Sequence, residues 1–171
     1  MRENERTVGC VYSSYSMSDL SPEQFQTVKT KAHALYTKSR EIYNPYFKER
    51  IILNADGFHH LQFSARHERS KREQHLKFNL LPLALDVISK SGTVQEYRKI
   101  LTPIGKSRNG FVPMKPVEYW AFIAIVGDRN EIKIRTIVRR IGTGNRIFWS
   151  VMPDSKFKHG QHLAREGIED V

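Results

Sequence analysis

The chain has 171 residues, with 28 Lys and Arg against 18 Asp and Glu, a net charge of +10 and a pI near 9.8. This length suits one domain that buries roughly 70% of its unfolded surface, and a single cysteine, Cys10, excludes an internal disulfide framework and fits a reducing compartment. No stretch approaches the ~18 apolar residues of a membrane span, the N-terminus carries no apolar signal run, and the basic excess is the footprint of a phosphate-rich partner.

A soluble cytoplasmic protein with no membrane partner is therefore expected. Residues 1–18, rich in Ser13, Ser14, Ser16 and Ser18, read as a flexible N-terminus, 19–154 as one α+β domain, and 155–171, with His159 and His162, as a flexible tail. Ser21-Pro22-Glu23-Gln24 is a capping box that opens a helix. Phe25, Val28, Ala32 and Leu35 follow at helical spacing to near Ser39, and Asn44-Pro45 breaks the pattern. Arg50 to Leu53 is a short β-like run before the turn signal Asp56-Gly57, and Phe58 to Phe63 predicts one or two helical turns. Ser70-Lys71-Arg72-Glu73 is a second capping box, and Leu76, Leu80, Leu83, Ala84, Val87 and Ile88 form the buried stripe of its helix. Pro82 should kink or restart that helix, and Gly92 should stop it.

Val94 to Leu101 alternates as a strand, and Thr102 to Pro116 reads as a loop. The segments VEYWAFIAIV, EIKIRTIVRRI and RIFWSVM then predict an antiparallel meander, separated by Gly127-Asp128-Arg129-Asn130 and Gly142-Thr143-Gly144-Asn145. If each loop takes four residues, Val126 faces Glu131 and Ile141 faces Arg146. One face, with Tyr119, Ala121, Ile123, Ile134, Val138 and Trp149, is then core. The other joins Trp120, Phe122 and Phe148 to Arg135, Arg139 and Arg146. That aromatic and cationic face suits polyanions with bases to stack, or else a covering helix or second subunit. The expected fold is α+β, with N-terminal helices packed on one face of a four-stranded antiparallel sheet.

Metal-independent RNA cleavage needs a base for the 2′-hydroxyl, an acid for the leaving oxygen, and cations for the charged phosphorane. His59, His60, His67 and His75 are interleaved with Arg66, Arg69, Lys71 and Arg72, and His60 and His67 are the leading acid/base candidates. On the sheet Arg139 and Arg135 would clamp phosphate, Ser150 would donate a hydrogen bond, and Trp120 or Phe148 would stack a base, with Arg146 alongside. The structural alternatives are an Arg139–Glu118 cross-strand ion pair, a half-buried polar histidine and a solvated arginine face. No cofactor is implied. No metal-ligand motif, phosphate loop or marked nucleophile occurs.

Asp56-Gly57-Phe58-His59-His60-Leu61, the basic run Arg66 to Arg72 leading into Leu80-Leu81-Pro82-Leu83-Ala84, and Ile137-Val138-Arg139-Arg140-Ile141-Gly142 followed by Phe148-Trp149-Ser150-Val151 carry a resemblance. Over roughly residues 20 to 154 the chain resembles the superfamily of barnase, EndoU, the tRNA-cutting colicins and RelE, particularly its phage and mobile-element branch. The resemblance implies a barnase/RelE-like fold and a toxin-like or mobile-element endoribonuclease. It points to His60, the arginines around Arg69, Arg139 and Ser150 as active-site positions, although no barnase-like glutamate base is identifiable. RNA is favoured over DNA as partner, and a protein inhibitor of the antitoxin kind is a further one. The competing reading is an accessory protein that binds nucleic acid through the basic and aromatic face without cleaving it.

Overall fold

The computed structural model describes residues 20–127 and 131–154, so the two flexible ends expected at 1–18 and 155–171, with Cys10, His159 and His162, lie outside the described residues. Helix α1 (Pro22–Ser39) starts where the sequence signals it. The Ser21 hydroxyl accepts from the Gln24 amide at 3.2 Å and the Gln24 side chain accepts from the Ser21 amide at 3.1 Å. Phe25, Ala32 and Tyr36 are its buried stripe. The hairpin of β1 (Glu41–Asn44) and β2 (Glu49–Ile52) follows. Buried Asn44 anchors it by donating to the Ile88 carbonyl at 2.7 Å and accepting from the Phe47 amide at 3.1 Å, so its amide side chain is satisfied at both ends. Helix α2 (Ala55–Gln62) is capped by Asn54, and α3 (Lys71–Lys90) by the reciprocal Ser70–Glu73 pair.

Helix α3 continues through Pro82 rather than restarting there. Proline removes one ladder donor, but its neighbours Leu80, Leu81, Ala84 and Leu85 are all buried, so packing holds the helix together across the gap. Strands β3 (Glu96–Pro103), β4 (Met114–Val126), β5 (Ile132–Ile141) and β6 (Ile147–Pro153) complete the chain. β4 begins inside the segment expected to be loop.

The class is α+β, but the sheet is not the expected four-stranded antiparallel one. It has six strands in the order β1-β2-β6-β5-β4-β3, and β2 meets β6 in parallel through the pair Ile52↔Ile147. The other neighbours are antiparallel. Among the described residues no helix is long and apolar enough to cross a membrane.

The register differs by one residue from the expected one, and the consequence is large. Val126 faces Ile132 rather than Glu131, so Trp120 faces Val138 and Tyr119 faces Arg139. A one-residue slip sends every side chain of one strand to the other side of the sheet. Trp120, Phe122, Ile134, Val138, Phe148 and Val151 therefore pack with Phe58, Leu61, Phe78, Leu81 and Ile88 of the helices in the main core. The opposite face holds a smaller cluster of Val117, Tyr119, Ala121 and Ile137, flanked by Ile100, Ile141, Trp149 and Met152. The face expected to offer Trp120, Phe122 and Phe148 to a ligand is thus the one that the helices cover.

Candidate active site

Helix α2 packs on β6. Gly57 makes this approach possible, because a Cβ there would overlap the Phe148 carbonyl and the Tyr36 hydroxyl. On β6 the register shifts: Val138 pairs with Phe148 and Ile137 with Ser150, leaving Trp149 as the extra residue of a bulge. By alternation Trp149 points opposite to Phe148 and joins the cluster of Val117, Tyr119, Ala121 and Ile137. His60 of α2 stacks on its indole with ring centroids 4.0 Å apart and planes 17° from parallel. The Arg139 guanidinium lies 4.0 Å from the same indole centroid and 5.7 Å from the Tyr119 ring.

Arg69 joins the group through His60. The bridge between Phe63 and Glu68 turns the chain back after α2, and the Arg69 amide donates to the Gln62 carbonyl at 2.9 Å. Arg69 Nε then donates to the His60 carbonyl at 3.3 Å, and a terminal nitrogen lies 3.5 Å from His60 Nε2. Helix α2, strands β4, β5 and β6 and the segment before α3 thereby bring two guanidinium groups, an imidazole, an indole and a phenol together.

Burial pulls the Arg139 guanidinium below the ordinary arginine value, while the hydrogen bond and charge of Tyr119 and the charge of Asp56 act the other way. Arginine stays cationic through any such shift. Among the described residues no carboxylate lies within ion-pair distance of Arg139, and its Nε and the Trp149 indole nitrogen are buried without a hydrogen-bond partner. Buried donors of this kind gain most from an anionic acceptor.

Of the residues singled out from sequence, His60, Arg69 and Arg139 meet here. His67 is exposed in the 64–67 loop, where Ser64 Oγ lies 3.3 Å from its Nδ1. Arg66 and Arg72 are exposed, and exposed Lys71 pairs with Glu68 at 2.8 Å. Ser150 is fully buried and accepts from Lys77 Nζ at 2.9 Å, so it fastens α3 to the sheet and does not face a ligand. Phe148 and Trp120 are core, so neither is placed to stack a base. Arg135 is buried in a bridge to Glu96 at 2.9 Å and Asp154 at 3.4 Å. Arg146 pairs with Glu49 and lies over Phe47 and Trp120, and the partner expected for Arg139, Glu118, belongs instead to Arg140 at 2.8 Å.

Tyr119 and Trp149 are the members that the sequence reading placed in the core. The cationic stretch around Arg139 and the aromatics beside it were visible, but only the register decides which aromatics share its face. Among the described residues no three His, Cys, Asp or Glu side chains gather as a metal site. No family model, curated protein or solved structure matches the chain.

Proposed function

We propose that the protein is a metal-independent endoribonuclease whose active site is the group His60, Arg69, Arg139, Tyr119 and Trp149. The observation that carries this reading is the convergence of His60, Arg69 and Arg139, which lie on different elements. They are also positions to which the resemblance to the barnase, EndoU, colicin and RelE superfamily points. In the reaction a base takes the 2′-hydroxyl proton and the 2′-oxygen attacks phosphorus. The bond from phosphorus to the 5′-oxygen then breaks, and an acid protonates that oxygen, leaving a 2′,3′-cyclic phosphate. His60 supplies one proton-transfer group, and Tyr119, hydrogen-bonded to Arg139, supplies the second. Arg139 and Arg69 place fixed positive charge where the phosphorane develops.

One contact favours a second reading, nucleic-acid binding without cleavage. His60 Nε2 faces Arg69 at 3.5 Å, and arginine can only donate. A nitrogen held in that way positions the ring as a wall of the site. Incubation of the protein and its His60→Ala and Arg139→Ala variants with labelled total RNA in EDTA separates the two. Cleavage that leaves cyclic phosphate and disappears in both variants, with thermal midpoints unchanged, supports the nuclease. Intact RNA, with a salt-sensitive gel shift that survives His60→Ala, leaves the binding protein.

A further inference from the structure

A cleft of about 480 Å³ opens between α1 and α2, within the range that holds small ligands. Buried Phe58, Tyr36 and Leu53 form its floor, and its polar groups include Arg40, His33, His59 and Gln62. None of its lining residues is acidic. His33 sets its ring edge-on to Phe58 at 5.0 Å, and His59 stacks on Phe63 at 4.3 Å. Asp56, the acidic residue in the first turn of α2, is not among the lining residues. The exposed rings of His33 and His59, beside an Arg40 with no ion-pair partner among the described residues, match a nucleotide, with its base against the imidazoles and its phosphate at the guanidinium.

We propose that this cleft is a second nucleotide subsite for the same RNA strand that enters the candidate active site. The inference rests on the nuclease or nucleic-acid-binding reading of that site. Its geometric support is the adjacency of His59 and His60. Their α-carbons are about 3.8 Å apart, yet His59 lines the cleft while His60 stacks on Trp149. A strand laid across α2, whose diameter with side chains is about 10–12 Å, touches both.

Fluorescence anisotropy with single-stranded, cleavage-resistant RNA analogues of increasing length tests this. The series compares the full-length protein with Arg40→Gln, a His33→Gln/His59→Gln double variant, and Arg139→Ala. Arg40, His33 and His59 are exposed, so the variants fold, and thermal midpoints verify it. Arg40→Gln is expected to weaken the longer oligonucleotides about tenfold. It should also lower the slope of log affinity against log salt by about 0.7, one phosphate contact on a single strand. The shortest oligonucleotide, held at Arg139, should be unaffected. Wild-type binding by the Arg40 and histidine variants at every length, with binding lost in Arg139→Ala, overturns the second subsite and spares the first. If Arg139→Ala also binds like wild type, or if wild type binds no oligonucleotide, the reading of the first site falls as well. Adenosine monophosphate that binds the cleft as tightly as the longest strand overturns the strand assignment in favour of a free-nucleotide site.

Discussion

Arg139 and Arg140 are neighbours on β5 and point to opposite faces of the sheet, and their surroundings differ in one decisive respect. Arg140, on the helix-covered side, bonds to Glu118, which also accepts from the Tyr97 hydroxyl at 2.7 Å. Arg146 on that side is likewise paired, with Glu49. Arg139 meets two aromatic rings and a phenol. One face thus spends its cations on internal carboxylates, where they join the aromatic packing of Phe47 and Trp120. The other pairs Arg135 with Glu96 and Asp154 but keeps, at Arg139, a half-buried cation with no described carboxylate in ion-pair range. A sheet can carry similar numbers of arginines and aromatics on both faces and still be structural on one and suited to anions on the other.

The sharpest break of this comparison uses the consecutive residues Phe148 and Trp149. Phe148→Ala empties a fully buried core position, with an expected loss of about 3–5 kcal/mol in chemical denaturation. Trp149→Ala should cost less stability, because the main core is untouched, while RNA cleavage collapses with the loss of the surface shared by His60 and Arg139. Equal stability losses with cleavage retained in Trp149→Ala would show that the indole is only packing. The arginine pair gives the next effect. Arg139→Ala should lower the cleavage rate by ~10²–10³, the scale of removing one preorganised charge from a transition state. Arg140→Ala should leave the rate near wild type and lower the thermal midpoint instead. Similar rate losses in both would erase the distinction between the faces.

Gly57→Ala probes how α2 is held against β6. The added methyl group meets the Phe148 carbonyl and the Tyr36 hydroxyl, and overpacking of this sort costs about 1–3 kcal/mol. Because α2 carries His60, the same change should loosen the His60–Trp149 stack. An altered Trp149 fluorescence spectrum alongside a lowered midpoint is the expected result, and an unaltered midpoint would mean that α2 can shift away from β6 without cost.

The helices were legible because their signals are local. Ser21 with Gln24 and Ser70 with Glu73 are reciprocal caps that the sequence shows directly. The meander was legible from its β-rich runs and turn residues. The choice of face was not, because a loop one residue longer than the four expected reverses β4 relative to β5, and both alternation patterns carry apolar residues. Two pieces had no local signal for where they pair, although Arg50 to Leu53 reads as a β-like run. The hairpin Glu41 to Ile52 enters the sheet through a single parallel pair, Ile52↔Ile147, between segments far apart in sequence. The bulge at Trp149 is a property of the pairing between β5 and β6. His60, Arg69 and Arg139 could be named as residue types suited to phosphate chemistry, whereas their meeting around Trp149 required the tertiary structure.

The smallest effect should come from acid, and it belongs to the covered face. Burial works against ionisation of Glu118, yet the hydrogen bonds from Tyr97 and Arg140, with the charge of Arg140, hold its carboxyl below the ordinary glutamate value. A carboxylate with a depressed folded value adds stability that is fully present above the unfolded value and is lost as pH falls through the folded one. Protonation of Glu118 should therefore release Arg140 and weaken the sheet only in the acid range, below the usual glutamate value, and leave neutral pH untouched. Glu118→Gln should show a shallower loss of thermal midpoint with acidification than wild type, a difference of about 1 kcal/mol or less given the partial exposure of Arg140. Cleavage near neutral pH should be unchanged in that variant, since Glu118 serves the side of β5 that does not carry the candidate site. A change in cleavage as large as that of Arg139→Ala would mean that the ion pair on the covered face sets the position of Arg139 through the β5 backbone, and the two faces would have to be treated as one electrostatic unit.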